Sequence, residues 1–472
     1  PERESPGVAA IENTAEKRAK ASSHLQLAKT SAKIRTFWNL NPSARNLYLR
    51  GGKMAETQEN LHAGTSAQPY RLDQKLHQIL YKSESRPSLA PAPEEVLPEP
   101  VYPQHPDPMP MTRREYQKMN AKRTWKTWGA PYFKSRWHSK ELRPIIPYLF
   151  TEWKCNLDCH YCWSYNNAVK GMTEDVGKRS IDWIHSIGAR VLALMGGEPL
   201  LRPKFIHKIV DYSAKKDIFV YLPTNARLLK PDVTDRLGDA GIATFNIAVD
   251  SVKERKSLPK AFEPIRANFD YLVKRQHHYG YSVMFNINIC HNNMDDVVEL
   301  TEIARANGIA TDYHINETPM MEQSHFKHLD ENQTYLTPED WPKVDALLDY
   351  LQDKRMNHGY KMANPQQHME DMKLLMRGEV PPWQCRAGQN SLIIRTDGSL
   401  APCFPMYSAT HDWGVVGDHK FDAKQLDEMK RECTTHCLST CNYILGYCYD
   451  TARVLHWIMK TAKGGFRGVE SF

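Results

Sequence analysis

The sequence predicts an α/β fold built on a parallel β-sheet, and three observations favour it. Six short apolar runs occur between residues 144 and 320, and amphipathic segments of helical period lie between them. The runs are apolar along nearly their whole length, which is typical of strands buried on both faces. An open doubly wound sheet and a partial barrel both fit. In either case we expect the chemistry beyond the carboxyl ends of the strands.

The elements follow each other in strict alternation. The predicted strands cover residues 145–150, 190–195, 218–222, 243–249, 282–289 and 310–315. The predicted helices lie near residues 174–187, 203–216, 230–239, 261–277 and 294–307. A polar, mainly helical connection is predicted at 321–382. Thr396-Asp397-Gly398 then indicates a hairpin between 391–395 and 399–401, followed by a helix near 422–432.

The N-terminal region, residues 1–143, is basic and proline-rich. Residues 17–53 hold nine Lys or Arg and no acidic residue, and the first methionine is Met54. We interpret 1–53 as translated leader; a basic targeting segment and a disordered basic tail are the alternatives. A short amphipathic helix is predicted at 68–84 and an extended proline-rich strap at 86–110.

Residues 112–140 mix basic side chains with Tyr116, Trp125, Trp128 and Trp137. Such a mixture can bind RNA or a membrane surface. We favour a solvated helix whose aromatic residues pack on the following domain, which makes nucleic acid an unexpected partner and keeps membrane-surface association as an alternative.

Composition, the length of the apolar runs and the grouping of the cysteines limit the classes of protein that fit this sequence. The 472 residues are 41% hydrophobic with a net charge of +7, and no apolar run is long enough for a membrane helix. Nine of the ten cysteines fall into two groups, and no secretory pattern precedes them. We therefore expect metal-binding thiols in a reducing cytoplasm rather than disulfides.

The first cysteine group directly follows the first predicted strand. Cys155, Cys159 and Cys162 have C-x3-C-x2-C spacing, so three thiolates can hold three corners of a [4Fe-4S] cluster and leave one iron open. A zinc site that borrows a fourth ligand such as His160 is the alternative at this point.

A second motif, Gly196-Gly197-Glu198-Pro199, ends the next predicted strand. With Tyr161 before Cys162, the two motifs resemble the signature of the radical S-adenosylmethionine (SAM) superfamily over about residues 144–320. The resemblance implies a partial (β/α)6 TIM-type barrel, a [4Fe-4S] cluster at the three cysteines and contact of the 196–199 motif with SAM.

The resemblance also implies that polar residues at later strand ends contact SAM. The candidates are Thr224, Asn225, Asp250, Ser251, Asn286 and Asn288. Each of these can instead cap a helix or satisfy a turn. Cys290, His314, Asn316 and Glu317 also stand at strand ends. Cys290 is a candidate catalytic hydrogen donor, although a buried, inert thiol is the alternative that we favour.

The second cysteine group resembles an auxiliary-cluster domain of the SPASM or shorter twitch type, predicted at 383–452 and followed by a 453–472 tail. Its members are Cys385, Cys403, Cys433, Cys437, Cys441 and Cys448. The full pattern has seven cysteines and different spacing, so at least one auxiliary [4Fe-4S] cluster is implied and its four ligands stay open. A zinc knuckle is the alternative.

The resemblance implies a radical SAM enzyme and leaves its class open between an oxidoreductase and an enzyme that forms C–C or C–S bonds. A flavodoxin- or ferredoxin-type donor supplies an electron, SAM is cleaved reductively, and the 5′-deoxyadenosyl radical modifies an unactivated carbon of a peptide, lipid or small molecule. The alternative function is a zinc-binding scaffold whose basic N-terminus binds RNA.

Overall fold

The computed structural model describes residues 111–138, 141–162, 169–316, 332–381, 383–407, 411–433 and 437–449. The chain divides into two compact units, residues 1–67 and 68–472, and the described residues all lie in the second. The predicted leader, the 68–84 helix, the proline-rich strap, Glu317 and the C-terminal tail lie outside the described residues. Within the described part, no helix has the length and apolar character needed to cross a bilayer.

The core of the fold is one eight-stranded sheet. Its strands are β1 (Ile146–Glu152), β2 (Val191–Gly196), β3 (Phe219–Thr224), β4 (Thr244–Ala248), β5 (Ser282–Ile289), β6 (Ala310–Ile315), β7 (Ser391–Ile394) and β8 (Leu400–Ala401). Their spatial order is β6-β5-β4-β3-β2-β1-β7-β8, parallel throughout except for the antiparallel β7-β8 pair. A separate two-stranded ribbon joins β9 (Gly414–Val415) to β10 (Asp418–His419).

Helices connect and flank these strands. The described α-helices are α1 (Arg113–Thr124), α2 (Ala130–Arg136), α3 (Glu174–Ser186), α4 (Pro203–Ala214), α5 (Pro231–Asp239), α6 (Arg266–Tyr279), α7 (Met294–Ala306), α8 (Trp341–Asn357), α9 (Gln366–Leu375), α10 (Ala423–Cys433) and α11 (Thr440–Tyr449). A π-helical segment, Trp125–Gly129, joins α1 to α2. The six predicted β-strands of the barrel are confirmed to within two residues at each end.

The strand order selects the partial barrel over the doubly wound sheet. Strands β1 to β6 lie side by side in sequence order without reversal. Because strand-helix-strand crossovers are right-handed, this order places the connecting helices α3 to α7 on one face of the sheet. The larger apolar core, which includes Leu149, Leu194, Phe245 and Ile287, fills the space between that face and the helices.

The opposite face, here called the inner face, is not apolar throughout. Near β1 to β3 it carries Tyr148, Phe150 and Ala193, which belong to a second apolar cluster. Along β4 to β6 the alternate residues are polar, so the prediction of nearly continuous apolar strands is wrong there: these residues are Asn246, Asn286, Asn288, Asp312 and His314. Polar groups on the inner face favour a ligand-binding interior.

The C-terminal hairpin extends the barrel sheet. Strand β7 pairs in parallel with β1, from Ile146 opposite Ser391 to Leu149 opposite Ile394. This pairing joins segments about 245 residues apart in sequence, and no local pattern of residues announces it. The hairpin therefore brings the chain that carries the second cysteine group next to the strand that leads into the first.

Helix α1 packs against the end of the sheet opposite the strand carboxyl ends. Its Arg123 guanidinium donates to the carbonyl oxygens of Gly280 (2.9 Å) and Ala243 (3.3 Å), just before β5 and β4 begin. Trp128 packs edge-on against Phe219 at 5.9 Å between ring centroids. The predicted packing of aromatic residues on the barrel is found here.

Three aromatic residues of the same region remain exposed. Trp125 is 61% exposed, Phe133 42% and Trp137 78%. Packing of aromatic residues on the barrel therefore accounts for only part of the 112–140 segment. Association of this segment with a membrane surface stays a prediction.

We predict that Arg123→Met lowers the free energy of unfolding by about 1–3 kcal/mol, because it removes two charge-assisted hydrogen bonds and takes from the Gly280 carbonyl its donor. Thermal unfolding of Arg123→Met and of the wild type measures the effect. Arg114→Met, at an exposed position of the same helix, is the control and should unfold like the wild type. Equal losses in the two variants would contradict this role for Arg123.

Candidate functional site

The first cysteine group forms a short loop directly after β1. Cys159 is buried, while Cys155 and Cys162 are half-buried. The amide of Cys162 donates to the Cys159 carbonyl at 3.0 Å, and the amide of Leu157 donates to Cys155 Sγ at 3.4 Å. Burial raises the pKa of Cys155 to about 12 and that of Cys159 further. Three thiols in one loop, one already receiving an N–H bond, form a donor set that suits an iron–sulfur cluster.

The Gly196–Pro199 turn lies against this loop, backbone to backbone. The amide of Gly197 donates to the Glu152 carbonyl at 2.6 Å, and the amide of Glu198 donates to the Lys154 carbonyl at 2.8 Å. A Cβ on Gly196 would overlap the Glu152 backbone, and one on Gly197 would overlap the carbonyl of Lys154. Both positions therefore need glycine, because the backbone leading into the cysteine loop (Cys155–Cys162) occupies the space that a side chain would fill.

Glu198 braces the ends of β2 and β3. Its buried carboxylate accepts hydrogen bonds from the Leu200 amide (2.9 Å), the Thr224 hydroxyl (2.8 Å) and the Asn225 amide (2.8 Å). Burial raises its pKa, and these hydrogen bonds oppose that shift. The Asn225 side chain donates in turn to Asn156 Oδ1 at 2.8 Å, so the brace reaches the cluster loop.

A second polar chain links the loop to the end of β4. Tyr161 donates a short hydrogen bond to Asp250 Oδ2, and the Lys260 ammonium donates to the Tyr161 hydroxyl at 2.8 Å. Asp250 is buried, which raises its pKa, and its Oδ1 accepts the Asn288 amide at 2.8 Å. The structure thus brings Asp250 and Asn288 together with the aromatic residue of the cysteine motif.

Two other predicted residues have mainly structural contacts. Ser251 is buried, and its hydroxyl donates to the Leu258 carbonyl at 3.2 Å. Cys290 is also buried, its pKa is raised by burial, and its Sγ contacts the Asn288 carbonyl at 3.6 Å. Asn293 links the ends of β4 and β5, because its side-chain amide donates to the carbonyls of Asp250 and Asn288, each at 2.7 Å. A thiol enclosed in this way favours the inert interpretation of Cys290.

Polar inner-face residues lie in register on neighbouring strands. Asn286 of β5 stands opposite Asp312 of β6, and Asn288 stands opposite His314. His314 Nε2 lies 3.4 Å from Asp312 Oδ2. The predicted Asn316 turns instead to Thr334, donating to its carbonyl and hydroxyl.

His160, the alternative zinc ligand, is buried, and its Nδ1 lies 3.5 Å from the Gln333 amide. Over the residues that the structure describes, no three Cys, His, Asp or Glu side chains are already grouped around one metal position.

Four cysteines of the second group line one cavity. Cys385, Cys403, Cys433 and Cys437 surround it, together with Lys430. Burial raises the pKa of Cys385 and Cys403, and the Ser439 amide donates to Cys437 Sγ at 3.4 Å. Four thiols lining one cavity match the ligand number of a complete [4Fe-4S] site. The side chains of Cys441 and Cys448, on α11, lie outside the described residues.

Sequence reasoning missed several residues of the site. Lys260 stands in a loop without periodicity, and nothing local marks it as a neighbour of Tyr161. Asn293 precedes a helix and looks like an ordinary cap. Asn246 and Asp312 carried a usable signal, because both interrupt apolar strands at positions that face away from the helices.

Comparison with known proteins agrees with this geometry. Residues 154–318 match the Radical SAM superfamily. An AdoMet-dependent heme synthase of Methanosarcina barkeri is 31% identical over 169 residues, which are 34% of this chain and 47% of the relative. A GTP 3′,8-cyclase of Sulfurimonas denitrificans is 26% identical over 270 residues, or 53% and 77% of the two chains. The chain therefore spans about half the length of the first of these relatives.

One solved structure with a similar trace is SuiB of Streptococcus suis bound to S-adenosylmethionine. It has a TM-score of 0.47 and 16% identity, and the match covers 62% of this chain and 67% of SuiB. A score of this size carries no argument about activity. The family match, in contrast, spans the cysteine loop, the glycine turn and strands β2 to β6, and it implies a [4Fe-4S] cluster and SAM. Residues 154–318 therefore form a radical SAM domain.

Proposed function

We propose that this protein is a radical SAM enzyme with one auxiliary [4Fe-4S] cluster, acting on a polar small molecule. The main support for a SAM-cleaving site is the backbone contact between the cysteine loop and the Gly196–Pro199 turn. It places the three thiols of Cys155, Cys159 and Cys162 beside a turn that is stripped of side chains at Gly196 and Gly197. When bound, the cluster and SAM supply reductive cleavage of SAM to a 5′-deoxyadenosyl radical.

The chain's own residues hold the reactants and exclude water. The three thiols would bind the cluster, and the turn would receive the amino end of SAM. Glu198 and Asn225 keep the turn and the loop in register, while Asp250, Ser251 and Asn288 would orient the rest of SAM. Because the buried carboxylates of Glu198 and Asp250 already accept several hydrogen bonds, they can fix this geometry without rearranging.

The auxiliary cluster is assigned to Cys385, Cys403, Cys433 and Cys437. Their arrangement around one cavity supports this set of four. The pairing of β7 with β1 joins the two cysteine-bearing segments through one sheet. An external one-electron donor of the flavodoxin or ferredoxin type completes the proposed reaction.

The substrate class is inferred from the inner face. Asn286, Asp312 and His314 offer hydrogen-bonding groups where a purely structural sheet would be apolar. Asp312 is buried, and its Oδ1 has no hydrogen-bond partner among the residues that the structure describes, a condition that a ligand donor would relieve. The two relatives described above, a heme synthase and a GTP 3′,8-cyclase, also favour a small molecule over a peptide as substrate.

We predict that Cys159→Ala abolishes 5′-deoxyadenosine formation in an anaerobic assay with dithionite and SAM, because the first cluster loses a ligand. Iron content should fall by about four atoms per chain. Cys290→Ala, at a buried thiol outside both groups, should keep wild-type iron content and SAM cleavage. Cleavage at the wild-type rate in Cys159→Ala would contradict the site. Stoichiometric zinc in the anaerobically isolated native protein, with no iron, would instead support the zinc scaffold.

We further predict that Cys403→Ala removes about four iron atoms per chain, while SAM cleavage without substrate continues, because the first cluster remains intact. Iron and sulfide analysis and Mössbauer spectroscopy measure this loss. The matched variant is Cys448→Ala, which should retain its iron. An equal loss of iron in Cys448→Ala would show that the assigned set of four ligands is wrong.

A further inference from the structure

We propose that Lys260 is the counter-charge of the SAM-cleaving cluster: it lowers the cost of adding the electron and so raises the reduction potential. The inference rests on the proposed function, because it assumes a cluster at Cys155, Cys159 and Cys162. It concerns a residue that neither cysteine spacing nor the glycine turn identifies.

The loop that carries Lys260 is fixed against the cysteine loop. The amide of His160 donates to the Ser257 carbonyl at 3.1 Å, which ties the two loops together. The Lys260 carbonyl accepts the amides of Asp250 (2.8 Å) and Ser251 (3.2 Å), so its backbone is held at the end of β4. The base of the side chain therefore has little freedom to move away from the cysteines.

The ammonium group is then placed by Tyr161. Lys260 Nζ donates to the Tyr161 hydroxyl at 2.8 Å and lies 5.0 Å from the centroid of its ring. Tyr161 occupies the turn closed by the Cys162 amide and the Cys159 carbonyl, so its contact with Lys260 brings the ammonium to the cysteine motif. Electrostatic attraction couples the ammonium to the thiols of Cys155, Cys159 and Cys162 and to the Asp250 carboxylate.

The carboxylate of Asp250 opposes the charge of Lys260 through an intervening hydroxyl group. Asp250 is the carboxylate nearest in this network, yet it is joined to Lys260 through the Tyr161 hydroxyl. The Asn288 amide also hydrogen-bonds to Asp250. Lys260 thus reaches Asp250 through the Tyr161 hydroxyl, and the attraction between the two charges offsets part of the effect of the ammonium on the cysteine loop.

Charge placement of this kind changes a one-electron equilibrium. Reduction adds one electron from the external donor to the cluster and no proton, so the thiolate-bound cluster becomes more negative. A positive charge held nearby in a partly buried site stabilises that added charge more than the oxidised state. Lys260 would therefore make the cluster easier to reduce.

The test is a redox titration of the anaerobic holoenzyme followed by EPR, using the signal that changes when SAM is added. We expect Lys260→Met to lower the equilibrium constant for reduction about tenfold or more, which corresponds to a shift of about 59 mV to more negative potential. Lys260→Arg keeps the charge and should restore most of the potential. Lys256→Met, at an exposed position of the same loop, should keep the wild-type value.

EPR reports only the chains that hold a cluster, so partial assembly does not hide the result. If Lys260→Met holds too little iron, Lys260→Gln tests the same loss of charge with a polar side chain. An unshifted potential in the neutral variant overturns the inference, including the case in which only SAM affinity falls and Lys260 binds SAM directly. A wild-type protein without a SAM-responsive signal would instead contradict the proposed function.

Discussion

The structure depends on the close approach of two backbone segments at the ends of β1 and β2. The Gly197 and Glu198 amides donate to the carbonyls of Glu152 and Lys154, and this contact leaves no room for a side chain on the turn. Parallel pairing of β1 with β2 delivers both segments to the same edge of the sheet. The cysteine loop is therefore positioned by main-chain hydrogen bonds rather than by its own short sequence.

Buried charge around this contact is balanced by hydrogen bonds. Glu198 accepts three of them, Asp250 accepts from Tyr161 and Asn288, and Lys260 closes the network next to the thiols. Burying a carboxylate without hydrogen-bond partners costs several kcal/mol, and these partners offset that cost. Each hydrogen bond also fixes the orientation of the carboxylate. The same network that makes burial tolerable gives the site a rigid electrostatic environment.

The sequence predicted the barrel well because its strands are continuous or alternating apolar runs separated by helical periods, and such patterns are local. The pairing of β7 with β1 was not predictable in this way, since it joins distant segments. Cysteine spacing marked both groups as candidate metal ligands, yet it did not indicate that Cys385, Cys403, Cys433 and Cys437 line one cavity. Lys260 reaches Tyr161 only through the folded loop, so no pattern of residues reveals it.

The most direct test of the account uses Gly197→Ala, which introduces a side chain at the central backbone contact. We predict that the variant still assembles a [4Fe-4S] cluster, because all three thiols remain. Adding SAM to the reduced wild-type protein should change the EPR spectrum of this cluster. In Gly197→Ala the change should be absent or need at least tenfold more SAM. A wild-type response in Gly197→Ala would contradict the central role of the backbone contact.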